Sequence, residues 1–211
     1  MKHTLIAIIL FFSMACNMAI AAQEGLSEQE RNILSQRVTQ KVEEFTHSLS
    51  RMVDDTQSRD VRTSHQKNIL GLTMGKGDPY DIIEDGRVKH STGVKMKTSS
   101  VNRTTITTQL LKTYLRRLYD PSIGKSQMPY KKIQIETADF VKVDNIEQEG
   151  DHYVCNAVFY QKFYGTRRDG SQYIDWTAKS IKCYITPIKL PDGNGYDVKL
   201  ADISVLKTER I

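Results

Sequence analysis

From Lys131 to the end the chain is almost all strand, and this constrains the fold more than anything else in it. Four β-rich runs, IQIETADFVKV, YVCNAVFYQKFYG, YIDWTAKSIKCYITPI and YDVKLADISVLKT, are separated by turn signals at Glu149-Gly150-Asp151, Arg168-Asp169-Gly170 and Pro191-Asp192-Gly193. A short turn joins only antiparallel neighbours, so four runs linked this way form a meander. The alternation of apolar residues slips between Ile135 and Phe140, and again between Leu200 and Ile203. Each slip reads as a β-bulge, and bulges in long strands bend a sheet strongly.

A sheet with an apolar face needs a second layer, and the first half of the chain supplies helices for it. Ser27 stands three residues before Glu30, the spacing of a capping box, and Leu34, Val38, Val42, Phe45, Leu49 and Met52 then recur at steps of four and three. That predicts a helix over about 27–56 with one apolar stripe. A second helix is expected over about 59–70, stopped by Gly71. A third is expected over 104–119, where Leu110, Leu111, Tyr114, Leu115 and Leu118 form a stripe before Pro121. Between them, over about 80–101, YDIIE, a turn at Asp85-Gly86 and, after a polar stretch, VKMKTSSV read as two strands, while 131–208 carries the meander. With 211 residues, 39% of them hydrophobic, residues 23–211 suffice for one domain with a real core.

Residues 1–22 read as a signal peptide. Lys2 and His3 precede an apolar run from Leu5 to Ala15, and Ala19, Ala21 and Ala22 offer the small residues a signal peptidase requires. A lipoprotein processed at Cys16 and a retained N-terminal anchor over Leu5 to Ala22 are the rival readings. All three place the domain outside the cytoplasm, periplasmic or extracellular, where disulfides persist. The formal charge of +5 is spread along the chain, and export separates the protein from nucleic acid, so no nucleic-acid partner is expected.

Motifs for chemistry are absent or incomplete. GLTMGKG at 71–77 has the wrong glycine spacing for a phosphate loop and lacks its Ser or Thr, so it reads as a helix stop and turn. His47, His65, His90 and His152 show no metal-ligand spacing and read as surface residues. No metal and no cofactor are expected, and no nucleophile signature is present.

The hairpin around Arg168-Asp169-Gly170 is more informative. A three-residue loop with Gly at its last, left-handed position sets Phe159 opposite Lys179, Tyr160 opposite Ala178 and Cys155 opposite Cys183. Cys155, Ala157, Phe159, Ile181, Cys183 and Ile185 then share a face small and apolar enough to meet the helices. The two cysteines are read as a disulfide, with two buried free thiols as the competing reading because a hydrogen-bonded pair is the less favourable site for a bridge. Tyr160, Tyr164, Trp176 and Tyr184 share the opposite face with Lys162 and Lys182. That face suits a partner or homodimer surface, a ligand-stacking surface, or simply a wet β-propensity face. Asp139 and Asp175 interrupt β-rich runs; either could be a pocket base, though alternating strands normally turn such acids to water.

The element order of helices, strand pair, helix and four long antiparallel strands resembles the nuclear transport factor 2-like fold, a cone-shaped α+β roll with N-terminal helices on a strongly curved, mainly antiparallel sheet. The resemblance rests on order alone and implies a pocket at the open end. Some members are isomerases or dehydratases using a pocket carboxylate or histidine. The reading preferred here is an exported cell-envelope domain without catalytic activity that binds an envelope protein or a small ligand. The alternatives are a pocket enzyme of isomerase or dehydratase type with Asp139 or Asp175 as base, and a membrane-anchored assembly subunit similar to the periplasmic domains of some type IV secretion components.

Overall fold

A computed structural model describes residues 26–84, 86–100, 105–191 and 193–209, with the side chains of residues 138, 139 and 194 excepted. The leader lies outside the described residues. Residues 1–32 and 33–211 form separate compact units. Of the first, the described part is the start of helix α1 (Glu28–Val53). There the capping box closes as its spacing predicts: Glu30 N–H donates to Ser27 Oγ at 3.3 Å, and Ser27 N–H donates to the Glu30 carboxylate at 2.9 Å. The Ser27 hydroxyl, which donates to the Glu30 carboxylate at 2.7 Å, and the Ser27 N–H hold the Glu30 carboxyl below its ordinary range.

In the second unit every member of the stripe Leu34, Val38, Val42, Phe45, Leu49 and Met52 is fully buried. Each such side chain contributes roughly 1.5–3 kcal/mol. Helix α2 (Arg59–Leu72) begins at Ser58, whose Oγ accepts from Val61 N–H, and continues through Gly71. It is ended by Thr73, whose N–H and hydroxyl both donate to Leu70 O. Gly71 is therefore no stop; a glycine within a helix costs about 1 kcal/mol against Ala but does not end it. Gly75 and Gly77, at φ 60° and 84°, make the turn that follows.

The architecture is α+β, helices with a large mixed sheet. Strands β1 (Tyr80–Glu84) and β2 (Arg87–Ser91) form a separate two-stranded hairpin. Strands β3 (Lys95–Thr98) and β4 (Thr107–Leu110) begin the main sheet, followed by β5 (Tyr130–Val143), the short β6 (Glu147–Glu149), β7 (His152–Arg167), β8 (Gln172–Leu190) and β9 (Gly193–Glu209). The order is β4-β3-β9-β8-β7-β5, with β6 also on β7. The meander forms as expected, but β3 joins β9 in parallel, so the sheet is mixed. The third helix, α3 (Leu111–Leu118), is shorter than expected because the β-branched run before it pairs with β3 as β4. Four of the five stripe residues, Leu111, Tyr114, Leu115 and Leu118, lie on α3 and are buried, while Leu110 ends β4 instead.

Both bulges are present. The β5–β7 register breaks between Thr137 and Val141, and the β8–β9 register breaks where Leu200 and Ile203 face Cys183 and Ile181. The extra residue at the second break brings Asp202 to the start of β3, where its Oδ1 accepts from Lys95 N–H at 2.8 Å. The β7–β8 hairpin has the expected register throughout, with Gly170 at φ 84° in its turn. Its apolar face lies under α1, where Phe45 and Phe159 meet edge to face at 6.5 Å. We call this the inner face.

The outer face carries a smaller core. Val154, Tyr184 and Ala201 are buried there, with Ile82 of the β1–β2 hairpin and Met74 packed against them. Glu84, at the hairpin's tip, accepts from Lys182 Nζ at 2.9 Å, Tyr184 Oη at 2.8 Å and Lys89 Nζ at 2.7 Å. Those three donors hold the Glu84 carboxyl down to about 2.

Candidate functional site

The inner face changes character along its length. At the cysteine end it is apolar and covered by α1; toward the Arg168 turn the same alternation presents Lys179, Thr177, Asp175 and Tyr173 on β8 and Gln161 and Phe163 on β7. These side chains, with Thr98 at the end of β3, Ser100 just after it, and Tyr114, Arg117 and Leu118 of α3, line a cavity of about 90 Å³. That is several times the space one water requires.

Lys179 is the most unusual group in it. It is 4% exposed, and among the described residues no carboxylate pairs with it; its ammonium sits over the Tyr114 ring at 5.9 Å. Burial alone pushes the amine down to about 7. A charge removed from water without a partner favours its neutral form. Beside it Gln161 is 2% exposed, and its Oε1 accepts no hydrogen bond among the described residues. Buried polar atoms are nearly always paired, so an unpaired acceptor beside a lysine with no carboxylate partner marks a place prepared for a missing partner. Tyr114 is buried too, and burial pushes its hydroxyl well above the usual phenol range.

The aromatic wall is tightly set. Tyr130 and Phe163 meet edge to face at 5.6 Å, and Gly165 leaves them room: a Cβ there would stand 2.6 Å from the Phe163 ring. Arg167 lies over Tyr173 at 4.5 Å, and Arg117 Nη1 donates to Gln109 Oε1 at 3.2 Å. Among the described residues the lining thus carries three cationic side chains, Lys179, Arg117 and Arg167, and one carboxylate, Asp175.

Asp175 corrects an expectation. It does not turn to water; it is 7% exposed, lines the cavity, and accepts from Ser100 Oγ at 3.2 Å. It falls on the inward phase of β8, opposite Phe163. Asp139 lies at the β5 bulge, and its side chain is outside the described residues. The structure also brings Cys155 opposite Cys183, as the turn geometry requires, and carries both as buried free thiols. The neighbouring Cys155 thiol, together with burial, raises the Cys183 thiol.

The aromatic patch on the outer face is divided. Tyr184 is 5% exposed beneath the β1–β2 hairpin, so it is unavailable to a partner. Tyr160 and Trp176 stack at 5.8 Å, and Lys162 lies over the Tyr164 ring at 4.9 Å; all remain half-buried. His152, expected at the surface, is 7% exposed against Tyr184 at 5.5 Å. Lys179 and Gln161 were missed as site residues, although the signal was present: the register that put Phe159 inward also puts its partner Lys179 inward.

No family model matches the chain, and no curated protein matches it. Among solved structures, the crystal structure of a conserved protein from Planctomyces limnophilus DSM 3776 is similar at a TM-score of 0.32 and 11% identity, over 82% of this chain and 92% of that one. Likeness at that level carries no argument about either fold or function.

Proposed function

We propose that the chain is an exported cell-envelope domain, freed of residues 1–22, that binds a small ligand in the Lys179 cavity without transforming it. The observation that carries this reading is a buried lysine, Lys179, with no carboxylate paired to it among the described residues, and the unpaired buried acceptor Gln161 Oε1 on the same cavity wall. A domain gains nothing in stability from such groups, so a ligand is their natural complement. On this reading the sheet curves around its helices as a cone-shaped roll of the nuclear transport factor 2-like kind, with the cavity at its open end. In an oxidising compartment Cys155 and Cys183 join as a disulfide.

Native mass spectrometry of the protein isolated from its own cell envelope tests the reading. The wild type should carry an additional small mass that Lys179→Met lacks; an unliganded wild type at full occupancy of the fold would reject it. N-terminal sequencing of the same preparation tests the location. Mature protein should begin near Gln23, and an intact Met1 in the membrane fraction would favour an anchored assembly subunit instead.

A second reading has one observation in its favour. Asp175 is buried in the same cavity as Lys179, so a pocket enzyme of isomerase or dehydratase type would have a carboxylate base beside a cationic group. Turnover of a bound ligand that Asp175→Asn abolishes while binding persists would establish it.

A further inference from the structure

We propose that the cavity takes a small organic acid, its carboxylate seated against Lys179, and that the lysine takes up a proton as the acid enters. This rests on the ligand-binding reading above and narrows it to one chemical class. Toward a carboxylate the cavity presents the Lys179 amine and the guanidiniums of Arg117 and Arg167, while the unpaired acceptor Gln161 Oε1 calls for a donor on the same molecule, such as the hydroxyl of a hydroxy acid. A carboxylate supplies the counter-charge that Lys179 lacks, and a charge-assisted hydrogen bond between them is strongest where water is excluded. The Tyr130 and Phe163 rings and Leu118 offer an apolar wall for the rest of the molecule. A volume near 90 Å³ fits a small acid, and the one lysine buried without a carboxylate beside it balances one negative charge.

The proton follows from the burial of the empty site. An amine held down to about 7 is largely neutral above that pH, and a carboxylate favours its charged form. Binding must therefore recharge it. Above pH 7 affinity falls about tenfold per pH unit, until the pH reaches the raised value of the lysine in the complex. Among the described residues, the other titratable or charged groups facing the cavity are Tyr114 and Arg117 of α3, Tyr130 of β5, Arg167 of β7, and Tyr173 and Asp175 of β8. Phenols and guanidiniums ordinarily titrate above pH 9, and Asp175→Asn controls for the carboxylate.

Isothermal titration calorimetry on the mature protein, with acetate, lactate and benzoate against acetamide, lactamide and benzamide, tests this between pH 6 and 9. At least one acid should bind while its amide does not, with the tenfold slope above pH 7. Its heat should vary with buffer ionisation enthalpy by close to one proton taken up at pH 8.5. The slope should persist in Asp175→Asn and vanish in Lys179→Met, and Lys179→Gln repeats the comparison if the methionine variant does not fold. Equal binding of acid and amide, preference for inorganic phosphate, a flat pH profile, or no binding by any acid would each overturn the inference. The small-mass measurement above stays independent of all four, so a neutral ligand retained in the native protein would sink this inference and leave the binding reading standing.

Discussion

Lys179→Met should make the protein more stable, by an amount that depends on pH. The folded protein holds this lysine near 7, whereas the unfolded chain leaves it at 10.5. Its folded-state value is depressed, the reverse of a lysine that gains a partner. As pH falls from 10.5 toward 7, the unfolded chain takes up a proton that the folded protein refuses, and folding is penalised by about 1.4 kcal/mol per pH unit. The penalty is fully present below pH 7, at about 5 kcal/mol, drops to about 2 kcal/mol at pH 9, and vanishes above 10.5. Methionine keeps the length and apolar stem without the charge, so urea denaturation of the two proteins should diverge by about 5 kcal/mol at pH 6 and converge by pH 10. The small-acid affinity of the variant should be lost over the same range. A variant no more stable than the wild type at pH 6, or a difference that stays constant with pH, would refute the claim that Lys179 is buried without a counter-charge.

Glu84→Gln should loosen the β1–β2 hairpin by about 1–2 kcal/mol after allowance for solvent screening, seen as faster amide exchange over residues 80–91 with the main sheet unchanged. The Glu84 carboxyl is depressed, so its contribution is present above its ordinary value of 4.5 and is lost as pH falls through about 2; exchange in the wild type should approach that of the variant only at that acidity. Phe45→Ala removes a fully buried ring that packs on Phe159 and should cost about 3–5 kcal/mol in chemical denaturation. Non-reducing peptide mapping of protein from an oxidising compartment should recover Cys155 joined to Cys183, and alkylation of both without reduction would dismiss the bridge. Any homodimer through the outer face should depend on Trp176 and be indifferent to Tyr184, which sedimentation of Trp176→Ala and Tyr184→Phe separates.

The parts of the fold written in local pattern were legible. The capping box, the stripe from Leu34 to Met52, the register of the β7–β8 hairpin and both bulges follow from spacing and turn chemistry, which act over a few residues. Pairings between distant segments were not legible. Nothing in Lys95–Thr98 shows that it lies parallel to β9, and the TTITT run could be divided between strand and helix only with β3 beside it. For the same reason Tyr184 read as exposed, since its cover, Ile82 and Glu84, comes from a hairpin about a hundred residues earlier in the chain. The site was half legible: alternation assigned Lys179 and Asp175 to the inner face, but which end of that face α1 covers and which end stays open as a cavity depends on the three-dimensional position of α3.

The parallel pairing of β3 with β9 has a kinetic meaning. Met96 faces Ile203, Lys95 is tied to Asp202, and Thr73 bridges to Leu200, so each contact waits for the end of the chain. Closing loops of that length precedes any reward from the contacts, which slows folding. The meander can assemble from neighbours alone, and β3, β4 and with them one wall of the cavity can join only once the last strand is in place. A chain cut before Leu200 would therefore lose more than its final strand: it would leave β3, β4 and the helix α3 that follows them without a sheet edge to join, as an intermediate with exposed apolar surface.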